Sequence, residues 1–309
     1  MLAWLLLTLL SFILLFAGAE LLVRGGAGIA LRLGLSALVV GLTVVAYGTS
    51  TPELVVSVKA AWAGQPGIAV GNVVGSNIFN IAVILGVAAL IRPVRSDSTA
   101  VNRDAPVMVA VTLGGMAVLW DGNVARWEGL LLVAASVVYT VWIIRQARKE
   151  KSDDDEGLRP LGMVKAVLFI AAGLVVLVIG SRLLVVNAVE IARALGVSES
   201  VIGLTIIAAG TSMPELATSA VGALRGHSDI ALGNVIGSNI FNILFVLGLA
   251  AVVHPIQGMS LRAVDQAFLL GTAVVLAPMM WTGRRVGRVE GGILLVMYAA
   301  YLWLMWPAK

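Results

Sequence analysis

Runs of about 20 predominantly apolar residues recur along almost the whole chain, and only short polar stretches break them. A run of that length crosses the hydrocarbon core of a bilayer as a helix about 30 Å long. The pattern predicts ten spans, at residues 2–23, 36–63, 68–91, 102–121, 126–144, 163–186, 198–224, 229–252, 263–282 and 289–306. The longest polar interruption, Arg145 to Arg159, falls near the middle, and no stretch is long enough for a separate soluble domain. The apolar run Leu5 to Phe16, followed by Ala17-Gly18-Ala19, has the outline of a secretory signal. No basic residue precedes it, however, and its counterpart lies at Val164 to Val186, deep in the chain, so it is read as a retained first helix.

Composition agrees with the pattern. With 60% hydrophobic residues, 12% charged residues and a mean hydropathy of +1.00, 309 residues cannot hide their apolar surface in one soluble core. Cysteine is absent, which excludes disulfides and thiolate metal sites.

An internal repeat sets the organisation. Gly41-Leu-Thr-Val-Val-Ala-Tyr-Gly-Thr-Ser-Thr-Pro-Glu53 recurs as Gly203-Leu-Thr-Ile-Ile-Ala-Ala-Gly-Thr-Ser-Met-Pro-Glu215. Gly71-Asn-Val-Val-Gly-Ser-Asn-Ile-Phe-Asn80 recurs as Gly233-Asn-Val-Ile-Gly-Ser-Asn-Ile-Phe-Asn242 at the same offset of 162 residues. That offset also matches Gly18 with Gly180, Pro93 with Pro255, Glu128 with Glu290 and Tyr139 with Tyr301. The expected units are 1–147, a linker at 148–160, and 161–309. Each unit holds five spans, and an odd number inverts the second unit relative to the first.

Lysine and arginine assign the faces. Arg24, Arg32, Arg92, Arg95, Arg103, the central loop, Arg225, Arg284, Arg285 and Arg288 fall on one side, which is expected to be cytoplasmic, with both termini outside. The sequence pI of about 9.7 follows from this asymmetry and does not imply nucleic-acid binding, for which no basic folded domain exists. The acidic run Asp153, Asp154, Asp155 and Glu156 in the linker reads as solvated chain, because adjacent aspartates lack the ligand spacing and turn glycine of a calcium loop.

Polar residues inside apolar spans are expensive to bury and mark function. In the second span, Pro52 of Gly48-Thr-Ser-Thr-Pro-Glu53 has no N–H for the helical ladder and its ring clashes with the preceding turn, so the helix should break. The break is expected to free carbonyls near Ala46 to Thr49 and to gather them with the hydroxyls of Thr49 and Ser50 and the carboxylate of Glu53. Ala208, Thr211, Ser212, Pro214 and Glu215 repeat the arrangement from the other side. In the third and eighth spans, Asn72, Ser76 and Asn80, and likewise Asn234, Ser238 and Asn242, are spaced by four and share a helix face. Gly71 and Gly75 suit close helix approach, and for Asn72, Asn77, Asn234 and Asn239 knitting helices together is the lesser alternative to a site role. Packing alone does not account for two buried glutamates, each of which needs a cation or a proton. An all-oxygen site of this kind suits calcium or sodium; zinc or copper would call for histidine, and His227 and His254 fall near span ends without counterparts in the other repeat.

The doubled Gly-Thr-Ser-x-Pro-Glu and Gly-Asn-Val-x-Gly-Ser-Asn-Ile-Phe-Asn motifs resemble the alpha-repeats of the calcium/cation antiporter superfamily, specifically the sodium/calcium exchangers and their prokaryotic members. The resemblance covers essentially the whole chain. It implies an all-α integral membrane fold of ten helices in two inverted five-helix repeats, with helices 2 and 7 broken and spans 2, 3, 7 and 8 forming the core. It also implies a secondary antiporter that exchanges sodium for calcium by alternating access, with spans 1 and 6 sliding across that core. Carried over residue by residue, calcium ligation falls to Glu53, Glu215 and the backbone carbonyls of Thr49 and Thr211. Sodium sites draw on Ala46, Ser50, Ser76, Ala208, Ser212 and Ser238, with Asn80 and Asn242 at the centre. Some prokaryotic and all potassium-dependent patterns place aspartate where this chain has Asn242, so the resemblance is to potassium-independent members.

The implied partners are therefore calcium, sodium and the lipid of the inner membrane, with no cofactor beyond the transported ions and no obligatory protein partner. A proton-coupled cation antiporter of the same superfamily is the alternative, though its members usually carry a different acidic motif. A membrane-embedded enzyme would need a nucleophile with its base or a paired catalytic Asp inside the spans, and none is visible. A passive channel fits inverted repeats and broken helices less well.

Overall fold

The computed structural model describes residues 2–147, 161–197, 206, 208–259 and 261–305. The first half contains α1 (Leu2–Leu33), α2 (Ala37–Thr49), α3 (Thr51–Trp62), α4 (Pro66–Ile91), α5 (Ala105–Val118) and α6 (Arg126–Ala147). The second contains α7 (Met163–Ala194), α8 (Ala208–Gly210), α9 (Met213–Arg225), α10 (Ser228–Val253), α11 (Ala263–Trp281) and α12 (Arg288–Met305). Among the described residues, seven helices are long and apolar enough to cross a membrane, and the bent pair α2–α3 makes an eighth. The other two predicted spans are also helical. One is the π-helical turn Ala100–Asp104 continuing into α5, and the other is α8–α9, whose expected beginning lies among residues 198–205 and 207, outside the described set. The linker 148–160, with its acidic run, is outside it as well.

Two helices are longer than the hydropathy pattern predicts. α1 and α7 each run for 32 residues, about 48 Å, against the roughly 30 Å of hydrocarbon. Charged residues such as Glu20 and Arg24 in α1, and Arg182, Glu190 and Arg193 in α7, weaken the apolar pattern, but the helix continues through them. Glu20 pairs with Arg24 one turn later at 2.6 Å, which carries α1 through its polar stretch. Helices of this length must tilt or project beyond the apolar layer.

Glycine decides where the long helices meet. A Cβ built on Gly18 would lie 2.9 Å from the Gly173 carbonyl oxygen and the Leu177 nitrogen, and one on Gly173 would lie 2.8 Å from the Gly18 oxygen. Gly180 makes the mirrored approach to Leu14 and Leu15. In lipid, where apolar side chains gain little from one another, such backbone-to-backbone contact is what joins helices. Gly18, Gly25 and Gly180 therefore bind α1 to α7 as one unit, while Gly26 faces α2, near Val40 and Val45.

α4 and α10 are the most deeply buried of the spanning helices. The outer helices expose large apolar side chains such as Leu9, Phe12, Val138, Leu168, Val175 and Trp303, as a lipid-facing rim requires. The repeat is visible in three dimensions. β1 (Val94–Arg95) pairs antiparallel with β2 (Arg285–Val286), Val94 opposite Val286, and Val124 bridges Ile256 in the same sense. These are one contact made twice at the 162-residue offset. The first joins the loops after the third and ninth spans, the second the loops after the fourth and eighth, so each pair shares a face, as an odd-numbered inverted repeat demands.

Candidate functional site

The two proline-containing segments break as the sequence predicts. Ser50 leaves helical geometry at φ −80° and ψ 9°, and α2 and α3 meet there at a 46° bend. In the second half Ser212 has φ −88° and ψ 9° between α8 and α9. Pro52 and Pro214 sit in the first turn of the following helix, where a missing N–H costs nothing. That placement puts Glu53 and Glu215 in the first turns of α3 and α9, where the positive end of a helix dipole favours a carboxylate. Both glutamates are only 1% exposed.

The repeats complete each other's sites. Ser50 Oγ donates to Glu215 Oε1 at 2.8 Å, and Ser212 Oγ donates to Glu53 Oε1 at 2.8 Å. Ser76 Oγ lies 3.2 Å from Ser212 Oγ and 3.4 Å from Glu53 Oε1. Asn72 Nδ2 donates to the Glu53 carbonyl at 3.1 Å and to Ser57 Oγ at 2.9 Å. Asn234 Nδ2 mirrors it, reaching the Glu215 carbonyl at 3.3 Å and Ser219 Oγ at 3.0 Å. With their nitrogens committed, the two asparagines turn their oxygens to the opposite repeat. Thr49 Oγ1 lies 3.0 Å from Asn234 Oδ1, and Thr211 Oγ1 lies 3.4 Å from Asn72 Oδ1. Asn72 and Asn234 thus brace the two breaks against each other.

What remains is a set of buried polar atoms, all but one of them oxygens, without partners. Glu53 Oε2, Glu215 Oε2, Ser238 Oγ, Asn242 Oδ1 and both amide atoms of Asn80 have no hydrogen-bond partner among the described residues. None of the ion pairs among the described residues involves either glutamate. Orphaned polar atoms and unpaired carboxylates at this depth are unstable without a counter-ion or a proton, and the all-oxygen donor set is chemically suited to a mobile hard cation. Among the described residues no group of three or more His, Cys, Asp or Glu gathers, and the acid count here stays at two.

Seven of the twelve sequence-predicted residues, Thr49, Ser50, Glu53, Ser76, Thr211, Ser212 and Glu215, are linked by hydrogen bonds around the two breaks, while Asn80, Ser238 and Asn242 are buried on α4 and α10 with unpartnered polar atoms. Ala46 and Ala208 stand one turn before the breaks. One expectation is corrected: the Ala46 carbonyl is not freed, because Ser50 N donates to it at 3.0 Å and keeps it in the helical ladder. The second repeat differs, since Ser212 N bonds Ala209 O at 3.2 Å instead. Gly71 and Gly75 meet no described residue, whereas their counterparts Gly233 and Gly237 press on Leu38, Gly41, Leu42 and Ala46. The mirrored segment, 200–208, lies mostly outside the described residues. His227 caps α10 half-buried, which pushes its imidazole below the usual range, and His254 is exposed at the other end of α10. Neither reaches the site.

Two features went unread in the sequence. Ser57 and Ser219 support the braces, and their match at the 162-residue offset was the available signal. The helices also open into π-helical turns at Asn80–Leu85 and Asn242–Leu247, beginning at the central asparagines. Such turns are frequent at functional sites and have no local sequence signature.

A family model described as sodium/calcium exchanger protein matches residues 3–145 and 165–306. The inner membrane protein YrbG of Escherichia coli is 36% identical over 313 residues, covering 96% of each chain. The sodium/calcium exchanger MaX1 of Methanosarcina acetivorans is 32% identical over 340 residues, covering 96% of this chain and 97% of that one. A solved structure of the sodium-calcium exchanger NCX_Mj superposes with a TM-score of 0.86 at 30% identity, covering 99% of both chains.

Proposed function

Because this chain belongs to the sodium/calcium exchanger family, we propose that it is an electrogenic, potassium-independent antiporter that exchanges sodium for calcium by alternating access at the Glu53–Glu215 site. The observation that carries the reading is the reciprocal pair Ser50 to Glu215 and Ser212 to Glu53, which turns two broken helices from opposite repeats into one oxygen-lined site.

In this reading calcium is the cargo of one half-cycle. Its two charges balance Glu53 and Glu215, with the Thr49 and Thr211 carbonyls and the amide oxygens of Asn80 and Asn242 completing an oxygen shell. Sodium occupies the same region in the other half-cycle. Ser50 with Ser238, and Ser212 with Ser76, together with the carbonyl of Ala208, supply flanking places beyond the central one. The sodium-loaded site then holds more positive charge than the calcium-loaded site. The neutral amide at Asn242 leaves no third acid for a potassium ion. α1 and α7, fastened by their glycines, move as one body across α2 and α8–α9, exposing the site to each side in turn.

The reading places the protein in the inner membrane with the Arg-rich face inside, following the basic residues of its loops. Calcium uptake into sodium-loaded proteoliposomes tests it. More sodium charge leaves than calcium charge enters, so an inside-positive potential accelerates uptake, by an energy of about 2.3 kcal/mol per net charge per 100 mV. Uptake that follows a proton gradient and ignores sodium and voltage would instead favour a proton-coupled antiporter.

A further inference from the structure

An amide beside a cation must present its oxygen, because the NH2 end carries partial positive charge and no lone pair to give. The two central asparagines meet this requirement differently. Both amide atoms of Asn80 are without partners among the described residues, so nothing in the protein selects the end it presents. Asn242 is held: its Nδ2 donates to Asn77 Oδ1 at 3.1 Å, and its Oδ1 is left without a partner.

The hold has a fixed polarity. Asn77 is buried, 1% exposed, three residues before Asn80 on α4. Its own Nδ2 donates to the backbone carbonyl of Asn239 at 3.2 Å. A backbone carbonyl can only accept, so Asn77 must turn its NH2 toward it and its Oδ1 the other way. That oxygen can only accept, so Asn242 must offer its NH2, which leaves the Asn242 oxygen for the site. The mirrored residue does not do this: Asn239 turns its amide back to the Val235 carbonyl of its own helix at 2.8 Å and leaves Asn80 unheld.

The geometry points to Asn77 as a positioning residue that makes Asn242 an oxygen-only ligand and disfavours an acid at position 242. This rests on the reading that Asn242 lies at the exchanged cation. An ionised aspartate there would set a negative oxygen against Asn77 Oδ1, whereas an asparagine closes the relay. Asn77 thereby helps to keep the acid count of the site at two.

The experiment measures calcium-induced stabilisation of the full purified chain in detergent, by melting temperature against calcium concentration, in four proteins: wild type, Asn77→Leu, Asn242→Asp, and the double variant. Asn77→Leu is expected to weaken apparent calcium affinity about tenfold in the Asn242 background, the scale of a misdirected buried amide. In the Asn242→Asp background, where both side-chain oxygens are equivalent, the same substitution should leave affinity unchanged or raise it. Asn77→Ser, whose hydroxyl can still donate to Asn239 and accept from Asn242, should retain most of the wild-type affinity and serves if the leucine variant does not fold. Equal losses from Asn77→Leu in both backgrounds would show a merely structural role and overturn the proposal, as would a wild-type response in the Asn242 background. A wild-type protein that calcium does not stabilise at all would overturn the exchanger reading together with it.

Discussion

Ser50 donates to Glu215 at 2.8 Å although 165 positions separate them, and the bond is the mirror of the one from Ser212 to Glu53. Each serine stands at the non-helical residue of one break, and each glutamate in the first turn after the other. Neither carboxylate is positioned by its own repeat alone. A rearrangement that separated the two breaks would dismantle both halves of the site at once, which is the behaviour expected of a single cation site shared between repeats.

Glu53→Gln and Glu215→Gln should therefore each abolish calcium exchange, retaining less than about a tenth of wild-type activity. Each removes half the negative charge facing a divalent ion. Folding should survive, because a neutral amide is less costly to bury than an unpaired carboxylate. Melting temperatures in detergent without calcium should not fall below wild type. Either variant exchanging calcium at near-normal rates would remove these residues from the site.

The glycine contacts between α1 and α7 make a separate prediction about stability. Gly18→Val places a side chain against backbone atoms of Gly173 and Leu177 that cannot yield, and should cost about 1–3 kcal/mol, read as a lowered melting temperature. Gly114→Ala, where no described atom lies within 4 Å of the new Cβ, should be neutral or slightly stabilising.

The doubled motif makes the candidate site legible because each half carries its own copy of every candidate residue type, and the proline predicts the break within two residues of where Ser50 makes it. Other features depend on information that local sequence does not hold. Hydropathy weakens where charged residues cluster, so it misses the C-terminal turns of α1 and α7 beyond residues 23 and 186; in α1 the Glu20–Arg24 pair spans that limit. The sequence favours a site role for Asn72 and Asn234 over packing, and only their paired bonds to the glutamate carbonyls and the facing threonines define them as braces. The freed Ala46 carbonyl was inferred from the proline alone, but the bend falls late enough for Ser50 N to remain bonded to it.

Sidedness can be checked in this cysteine-free chain by two single substitutions at exposed loop positions. Ser98→Cys, beside the β1–β2 pair, should react with an impermeant thiol reagent only from the cytoplasm. Gln257→Cys, beside the Val124–Ile256 bridge, should react only from outside. Labelling of both from one side would contradict the inverted repeat, and exchanged labelling would reverse the orientation.

The most direct test of the central claim, one site shared by calcium and sodium, is a dual-isotope flux measurement. Proteoliposomes loaded with labelled sodium are exposed to labelled external calcium, and both fluxes are followed in wild type, Glu53→Gln and Glu215→Gln. Sodium efflux should depend on external calcium, carry out more charge than calcium brings in, and vanish together with calcium entry in both variants. Sodium efflux that proceeds at the same rate without calcium, or that survives loss of calcium entry in either variant, would contradict a single shared site.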